Sequence, residues 1–246
     1  MEETKKKGLN TSSNTYTIVY SVVIVVIVAF LLAFVSSTLK PMQDENVALD
    51  KKKQILAALN IRDINGAEAT DKYNKVITAD QIIDRNGNVV EEGKQGGTEA
   101  GFLCNSASTK EGKLAIYVCN VEGETKYVIP VYGMGLWGGI SGYVALNADK
   151  ATVYGAYFTH EGETAGLGAE IKDSREWQDQ FKGKHLFAAG KDGVALSVVK
   201  KNEVTDPETQ CDAVTGATLT SVGVSNMLHD CLGEYTKFLT KNKEEE

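Results

Sequence analysis

Hydrophobic positions are distributed unevenly along this chain. From Ile18 to Val35 it reads IVYSVVIVVIVAFLLAFV, and no charged residue occurs between Lys7 and Lys40. Eighteen helical residues span about 27 Å at ~1.5 Å per residue, and the uncharged flanks from Tyr16 to Leu39 extend that to a bilayer core. The stretch is apolar on every face, and no small-residue cleavage pattern follows it. It therefore predicts one uncleaved transmembrane helix over 16–39 rather than a secretory signal or a buried core helix. Lys5, Lys6 and Lys7 precede it and only Lys40 follows closely. That bias places 1–15 as a cytoplasmic tail and 40–246 outside the cytoplasm.

Beyond the anchor the pattern changes period. Val47, Ile55, Leu56 and Leu59 recur among charges, which predicts a juxtamembrane amphipathic helix over about 45–61. Tyr73 to Asp84 reads as a second short helix, ending before the turn RNGN. Four segments rich in Val, Ile and Tyr follow, bounded by Gly, Asn and Asp: KLAIYVCNV (113–121), KYVIPVYG (126–133), SGYVALNA (141–148) and ATVYGAYFTHE (151–161). They predict strands. SREWQDQFKGK predicts a helix with Ser174 as its N-cap. VALSVVKK (194–201) predicts one more strand. Leu228, Leu232, Tyr235 and Leu239 then fall at helical spacing in a closing amphipathic helix from about Leu219 to Leu239, before a frayed KNKEEE tail. The sum is one mixed α+β domain on a single membrane helix, with no internal repeat.

Composition narrows the function. A net charge of −7 and a pI of about 5.2 exclude a phosphate-tracking nucleic-acid binder. The histidines are three, His160, His185 and His229, far apart in sequence, so a metal centre is not expected. Cys104, Cys119, Cys211 and Cys231 form no C-x-x-C pair. Two readings stay open for them: a bridge from Cys104 to Cys119 between neighbouring strands, or four small buried hydrophobes.

Three glycine-rich segments carry the candidate chemistry. GMGLWGGISG, Gly133 to Gly142, holds five glycines around Leu136 and Trp137. It is either a wide loop or backbone that approaches something flat. THEGETAGLGAE, Thr159 to Glu170, offers Glu163, Thr164, Leu167 and Gly168, and matches neither a Walker loop nor a dinucleotide fingerprint. DAVTGATLTS, 212 to 221, precedes the last helix. Thr215, Thr218 or Thr220 could cap that helix, with Gly216 making the entry turn. A helix start also favours an anion, through free N–H groups and the dipole. No histidine or aspartate pattern supports the hydroxyls, so a triad hydrolase is disfavoured and no catalytic residue is assigned.

The last segment resembles the covalent-flavin attachment signature D-x-x-[ST]-G-A-T, matched by Asp212, Thr215, Gly216, Ala217 and Thr218. Over nearly its full length, and with the three segments in the same order, the chain resembles the C subunits of sodium-translocating NADH:quinone oxidoreductases. The G subunit of the related Rnf complex shares the motif and the topology. The resemblance implies one FMN joined by a phosphoester to Thr218, placed there by a separate flavin transferase. It implies that Leu136 and Trp137 pack near the ring, and that Glu163, Thr164, Leu167 and Gly168 line it. Thr215 and Thr220 would hydrogen-bond the phosphate or ribityl chain, beside small Gly216 and Ala217. It further implies a single-pass subunit of the bacterial inner membrane with its domain on the periplasmic side, surrounded by lipid and partner subunits, relaying electrons from NADH toward quinone as sodium is exported. A cofactor-free, membrane-anchored module whose three loops contact a partner protein is the alternative of another class.

Overall fold

The structure, a computed structural model, describes residues 11–190 and 192–241. It divides into a unit ending at Ala48 and a unit from Leu49 onward. Residues 1–10, which hold most of the expected cytoplasmic tail, and 242–246, which hold most of the expected frayed end, lie outside the described residues.

The first unit is helical. Helix α1 (Asn14–Ala58) contains the apolar run, and residues 17–47 are exposed on every face. A helix satisfies its own backbone hydrogen bonds, so this much uncovered apolar surface suits lipid and not water. It is long and apolar enough to cross a membrane. The helix does not stop at Pro41. Proline removes one main-chain hydrogen bond, and at an exposed position the freed carbonyl can be solvated. The expected separate helix over 45–61 is therefore the C-terminal part of α1.

The second unit is built on a six-stranded antiparallel sheet in the order β2-β1-β3-β4-β5-β6. The strands are β1 (Ile77–Ile83), β2 (Val89–Glu91), β3 (Leu114–Val121), β4 (Glu124–Met134), β5 (Gly139–Leu146) and β6 (Val153–His160). Four of them match the expected segments within a few residues. Both faces of the sheet centre are covered. Ile116, Ile129, Val131 and Val144 belong to one core, while Tyr117 packs edge-on to Tyr143 on the other and donates its hydroxyl to the Gly101 carbonyl. Two-sided burial explains why LAIYVCNV shows no alternation of polar and apolar positions.

Helix α2 (Gly66–Val76) starts at Asn65, whose side chain accepts from the Glu68 N–H at 2.9 Å. The expected helix over 73–84 is thus corrected. It ends at Val76, and the rest of the stretch is β1. Ile77, Thr78, Ile82 and Ile83 are β-branched, and pairing along β3 overrides the helical spacing. Short helices α3 (Ser106–Lys110), α4 (Glu170–Asp173) and α5 (Arg175–Asp179) follow, and the Ser174 hydroxyl caps α5 through the Trp177 N–H. The strand expected over 194–201 is reduced to β7 (Ser197–Val199), which pairs in parallel with β8 (Gln210–Asp212).

Helix α6 (Thr218–Glu234) packs on β4 and β7, and α7 (Thr236–Thr240) follows a break at Tyr235. Leu228, Leu232, Tyr235 and Leu239 are all buried, as their spacing requires. The approach of α6 to β4 is set by Gly223, where a Cβ would stand 2.3 Å from the Met134 carbonyl oxygen. A larger residue would push the first turns of α6 off the end of β4. All four cysteines are buried as free thiols, so the small-hydrophobe reading holds and the bridge from Cys104 to Cys119 does not form.

Candidate functional site

The β7–β8 pair delivers the chain to the start of α6. Asp212 closes β8 and is fixed on three sides. Its N–H donates to the Gln180 side chain at 2.9 Å, its carbonyl accepts from the Trp177 indole at 2.8 Å, and its carboxylate accepts from the Asn202 N–H at 3.0 Å. The motif aspartate is therefore a structural anchor for the strand end. From there Val214 to Ala217 forms a four-residue turn closed by the Ala217 N–H on the Val214 carbonyl at 3.1 Å. Gly216 takes the third place at φ +77°, the left-handed region that such a turn requires. The turn is tied to the helix it precedes, because the Val214 N–H donates to the Ser221 hydroxyl at 3.1 Å.

None of the three threonines caps α6. The N-cap is Ala217, which has no side-chain hydrogen bond to offer. The expected threonine cap is thereby corrected: Thr218 is already the first helical residue. Ser221 is the first residue to donate back into the helix, to the Ala217 carbonyl at 3.0 Å. The N–H groups of Thr218, Leu219 and Thr220 therefore point out of the helix end without a cap, where an anion is favoured.

The threonines differ in their surroundings. Thr220 is 1% exposed and donates its hydroxyl to Glu163 at 2.6 Å. Thr215 is exposed and accepts from the Lys201 ammonium at 3.2 Å. Thr218 is exposed, and its hydroxyl makes no hydrogen bond among the described residues. Lys201 was not anticipated from the sequence. It sits 14 positions before Thr215 in an ordinary Lys-Lys pair, and only the parallel pairing of β7 and β8 brings it to the loop.

The other two glycine-rich segments converge here. GMGLWGGISG is a tight hairpin rather than a wide loop: the Gly135 N–H meets the Gly138 carbonyl at 2.8 Å, and Leu136 and Trp137 stand at its tip, 48% and 69% exposed. The loop after β6 turns at Thr164, whose carbonyl accepts from the Leu167 and Ala169 N–H groups. Leu167 reaches Gly216, where a Cβ would lie 2.9 Å from a Leu167 methyl. Glu163 joins the segments, accepting the Trp137 N–H at 2.9 Å on one oxygen and the Thr220 hydroxyl on the other. Burial pushes its carboxyl up, but the hydrogen bonds from Thr220, Trp137 and Leu136 outweigh that and hold it below the usual carboxylate range. Gly168 lies against both Glu163 and Thr220. Thr164 and Gly216 are exposed, and Ala217 is buried.

What this arrangement can hold follows from its parts. The bare helix end suits a phosphate. Met134, Leu136, Trp137, Leu167, Leu219 and Val222, all more than 40% exposed, supply apolar surface for a flat ring. A phosphate-bearing flavin fits this combination. Among the described residues no His, Cys, Asp or Glu group could hold a metal ion.

Comparison with known proteins agrees with this geometry. Residues 135–233 match the FMN-binding domain family, a span that runs from the Trp137 hairpin through α6. The chain is 32% identical over 220 residues to the C subunit of the Na(+)-translocating NADH-quinone reductase of Pseudomonas aeruginosa, covering 80% of this chain and 82% of that one. It is 36% identical over 204 residues to the C subunit of the Haemophilus ducreyi enzyme, covering 76% and 77%. The crystal structure of the Parabacteroides distasonis C subunit superposes with a TM-score of 0.75 at 37% identity, over 82% of this chain and 97% of that one. Shewanella oneidensis NqrC superposes at 0.64 with 25% identity, over 78% and 96%.

Proposed function

The chain belongs to the family of C subunits of Na(+)-translocating NADH-quinone reductases, and from that premise we propose that it carries one FMN as a phosphoester on Thr218 and relays electrons from NADH toward quinone as sodium is exported. It is an FMN-binding subunit of a multi-subunit membrane enzyme and is not catalytic alone. FMN supplies the redox chemistry, and the protein supplies position and electrostatics.

The observation that carries the reading is the state of Thr218. Its hydroxyl is exposed and unbonded at a helix start with no cap. A phosphodiester keeps one negative charge after attachment, so the bare N–H groups of α6 still have an anion to stabilise. Among the described residues no side chain hydrogen-bonds the Thr218 hydroxyl, and on this reading no base is needed. The threonine is the substrate of a flavin transferase, and small neighbours at Gly216 and Ala217 leave room for that enzyme. Leu136, Trp137 and Leu167 take the ring, and Gly168 lies behind them against Glu163 and Thr220. Thr164 lies at the rim, and Thr215 with Lys201 faces the phosphate side. Thr220 contributes through its N–H, because its hydroxyl is committed to Glu163. The apolar α1 segment holds the subunit in the lipid of the inner membrane over 16–39, with residues 1–15 in the cytoplasm and 40–246 on the periplasmic side.

Intact mass tests the linkage. The full chain coexpressed with a flavin transferase should exceed its sequence mass by one FMN less one water. Thr218→Ala should lose both the added mass and the fluorescent band on a denaturing gel. A fluorescent Thr218→Ala band would overturn the assignment.

A further inference from the structure

Glu163 stands in an unusual position for an acidic residue on a glycine-rich loop. It is 7% exposed, yet its two oxygens are taken up by neutral donors. One oxygen accepts the Trp137 N–H and the other accepts the Thr220 hydroxyl, so a single carboxylate bridges the β4–β5 hairpin and the first turn of α6. Its own N–H donates to the His160 ring at 3.1 Å, which secures its loop to the end of β6. The space for the carboxylate is built in. A Cβ at Gly135 would lie 2.4 Å from one oxygen, and a Cβ at Gly168 would lie 2.4 Å from the other. Two glycines, one in the hairpin and one in the loop after β6, therefore stand where a side chain would displace this group. A buried carboxylate is costly unless its lone pairs are engaged, so the network has one favoured arrangement.

We propose that Glu163 is a positioning residue rather than a flavin ligand: it latches the Trp137 hairpin to the threonine-bearing helix, and its fixed negative charge sets the ease with which the neighbouring flavin is reduced. The proposal rests on the reading that Thr218 carries FMN, but its latch half does not need the flavin. Tying Trp137 to Thr220 holds the ring-packing side chain at a set distance from the attachment residue two positions earlier. The charge acts differently. A ring that gains an electron beside a desolvated anion is disfavoured relative to the same ring beside a neutral group.

Three variants separate these roles. Glu163→Gln keeps the shape, because its carbonyl can accept from Trp137 while its amide donates to a rotated Thr220 hydroxyl, but it removes the charge. Glu163→Ala removes both. Thr220→Val cuts one arm of the latch and leaves the volume nearly unchanged. The full chain in detergent is prepared without flavin transferase, in a Trp177→Phe background so that Trp137 is the reporting indole. Expected is lower fluorescence anisotropy for Glu163→Ala and Thr220→Val, and a wild-type value for Glu163→Gln. On flavin-loaded chain, redox titration should move the midpoint of Glu163→Gln to a less negative potential. Wild-type anisotropy in both latch variants, or an unmoved or more negative midpoint in Glu163→Gln, overturns the proposal. If Glu163→Ala does not fold, Thr220→Val decides the latch alone. A wild-type chain that takes up no flavin refutes the Thr218 reading instead, and the flavin-free anisotropies still judge the latch.

Discussion

Gly216→Ala tests the attachment turn directly. The residue sits at φ +77°, where an L side chain costs roughly 1–2 kcal/mol. Against this, alanine restricts the unfolded chain and returns about 0.4–1 kcal/mol. The new Cβ would also meet a Leu167 methyl at 2.9 Å, but Leu167 is 43% exposed and can swing aside. Taking the middle of each range, the backbone cost wins and the net expectation is a loss of about 0.8 kcal/mol. With a urea dependence of about 2 kcal/mol per molar, the midpoint falls by about 0.4 M. The measurement is urea unfolding of the full chain in detergent, followed by Trp177, which is 5% exposed and bonded to Asp212 beside the turn. A Trp137→Phe background removes the exposed indole. Gly216→Asn should recover part of the loss, since asparagine enters the left-handed region several-fold more readily than alanine. A Gly216→Ala midpoint equal to or above that of glycine would refute the argument from φ. Because the alanine displaces Leu167 from the turn, the rate of flavin attachment should fall in the same variant while Thr218 itself is unchanged.

Other substitutions address separate parts of the chain. Ser221→Ala leaves the buried Val214 N–H without a partner and should cost about 1–3 kcal/mol in the same unfolding assay. Leu228→Ala removes a fully buried side chain from the α6 core and should cost about 2–5 kcal/mol without altering flavin attachment at a temperature where the variant is folded. Lys51 gives a pH signature. Its ammonium donates to the Phe102 and Cys104 carbonyls and lies over the Phe102 ring. Burial lowers its pKa from 10.5 to about 8, against the opposing pull of Cys104 and Asp80. Between those values the unfolded chain binds more protons, so the Lys51 contribution to stability rises with pH across that window and is flat below it. Subtracting the pH–stability curve of Lys51→Met from that of the wild type should show this rise, and a falling difference would contradict it.

The sequence and the structure agree where one local signal operates alone. The apolar run of α1 and strands β3 to β6 could be read directly, because each is long and locally consistent. The failures occur where a local signal met a tertiary one. Residues 77–83 have both helical spacing and β-branched side chains, and pairing with β3 decided between them. Val89–Glu91 is an exposed edge of three residues with no burial pattern to read. The membrane helix and the juxtamembrane helix were expected as two elements, yet the exposed backbone around Pro41 needs no boundary between them. In the candidate site, all three glycine-rich segments were visible as composition, and they converge. What could not be read was orientation. Glu163 belongs to the ring-lining residues by motif, yet its carboxylate faces Trp137 and Thr220 inside the protein.

The same limit explains what the structure adds to the hydroxyl-rich segment. Four hydroxyl residues within seven positions are chemically near-equivalent in sequence, and folding makes them unlike. Ser221 is 1% exposed and holds the turn through Val214. Thr220 is equally buried and holds Glu163. Thr215 is exposed but engaged by Lys201. The helical period separates Thr218 from Ser221 by three residues, which would place both on one face, but the incoming turn engages only Ser221, through the Val214 N–H. Thr218 is left outside, beside free N–H groups at a helix start that has no side-chain cap. An enzyme that adds a flavin from outside needs an accessible oxygen, not an activated one, and of these four only Thr218 combines exposure with an unbonded hydroxyl. On this reading the burial pattern of one helix turn selects the acceptor, while the D-x-x-[ST]-G-A-T spacing builds the turn that produces the pattern.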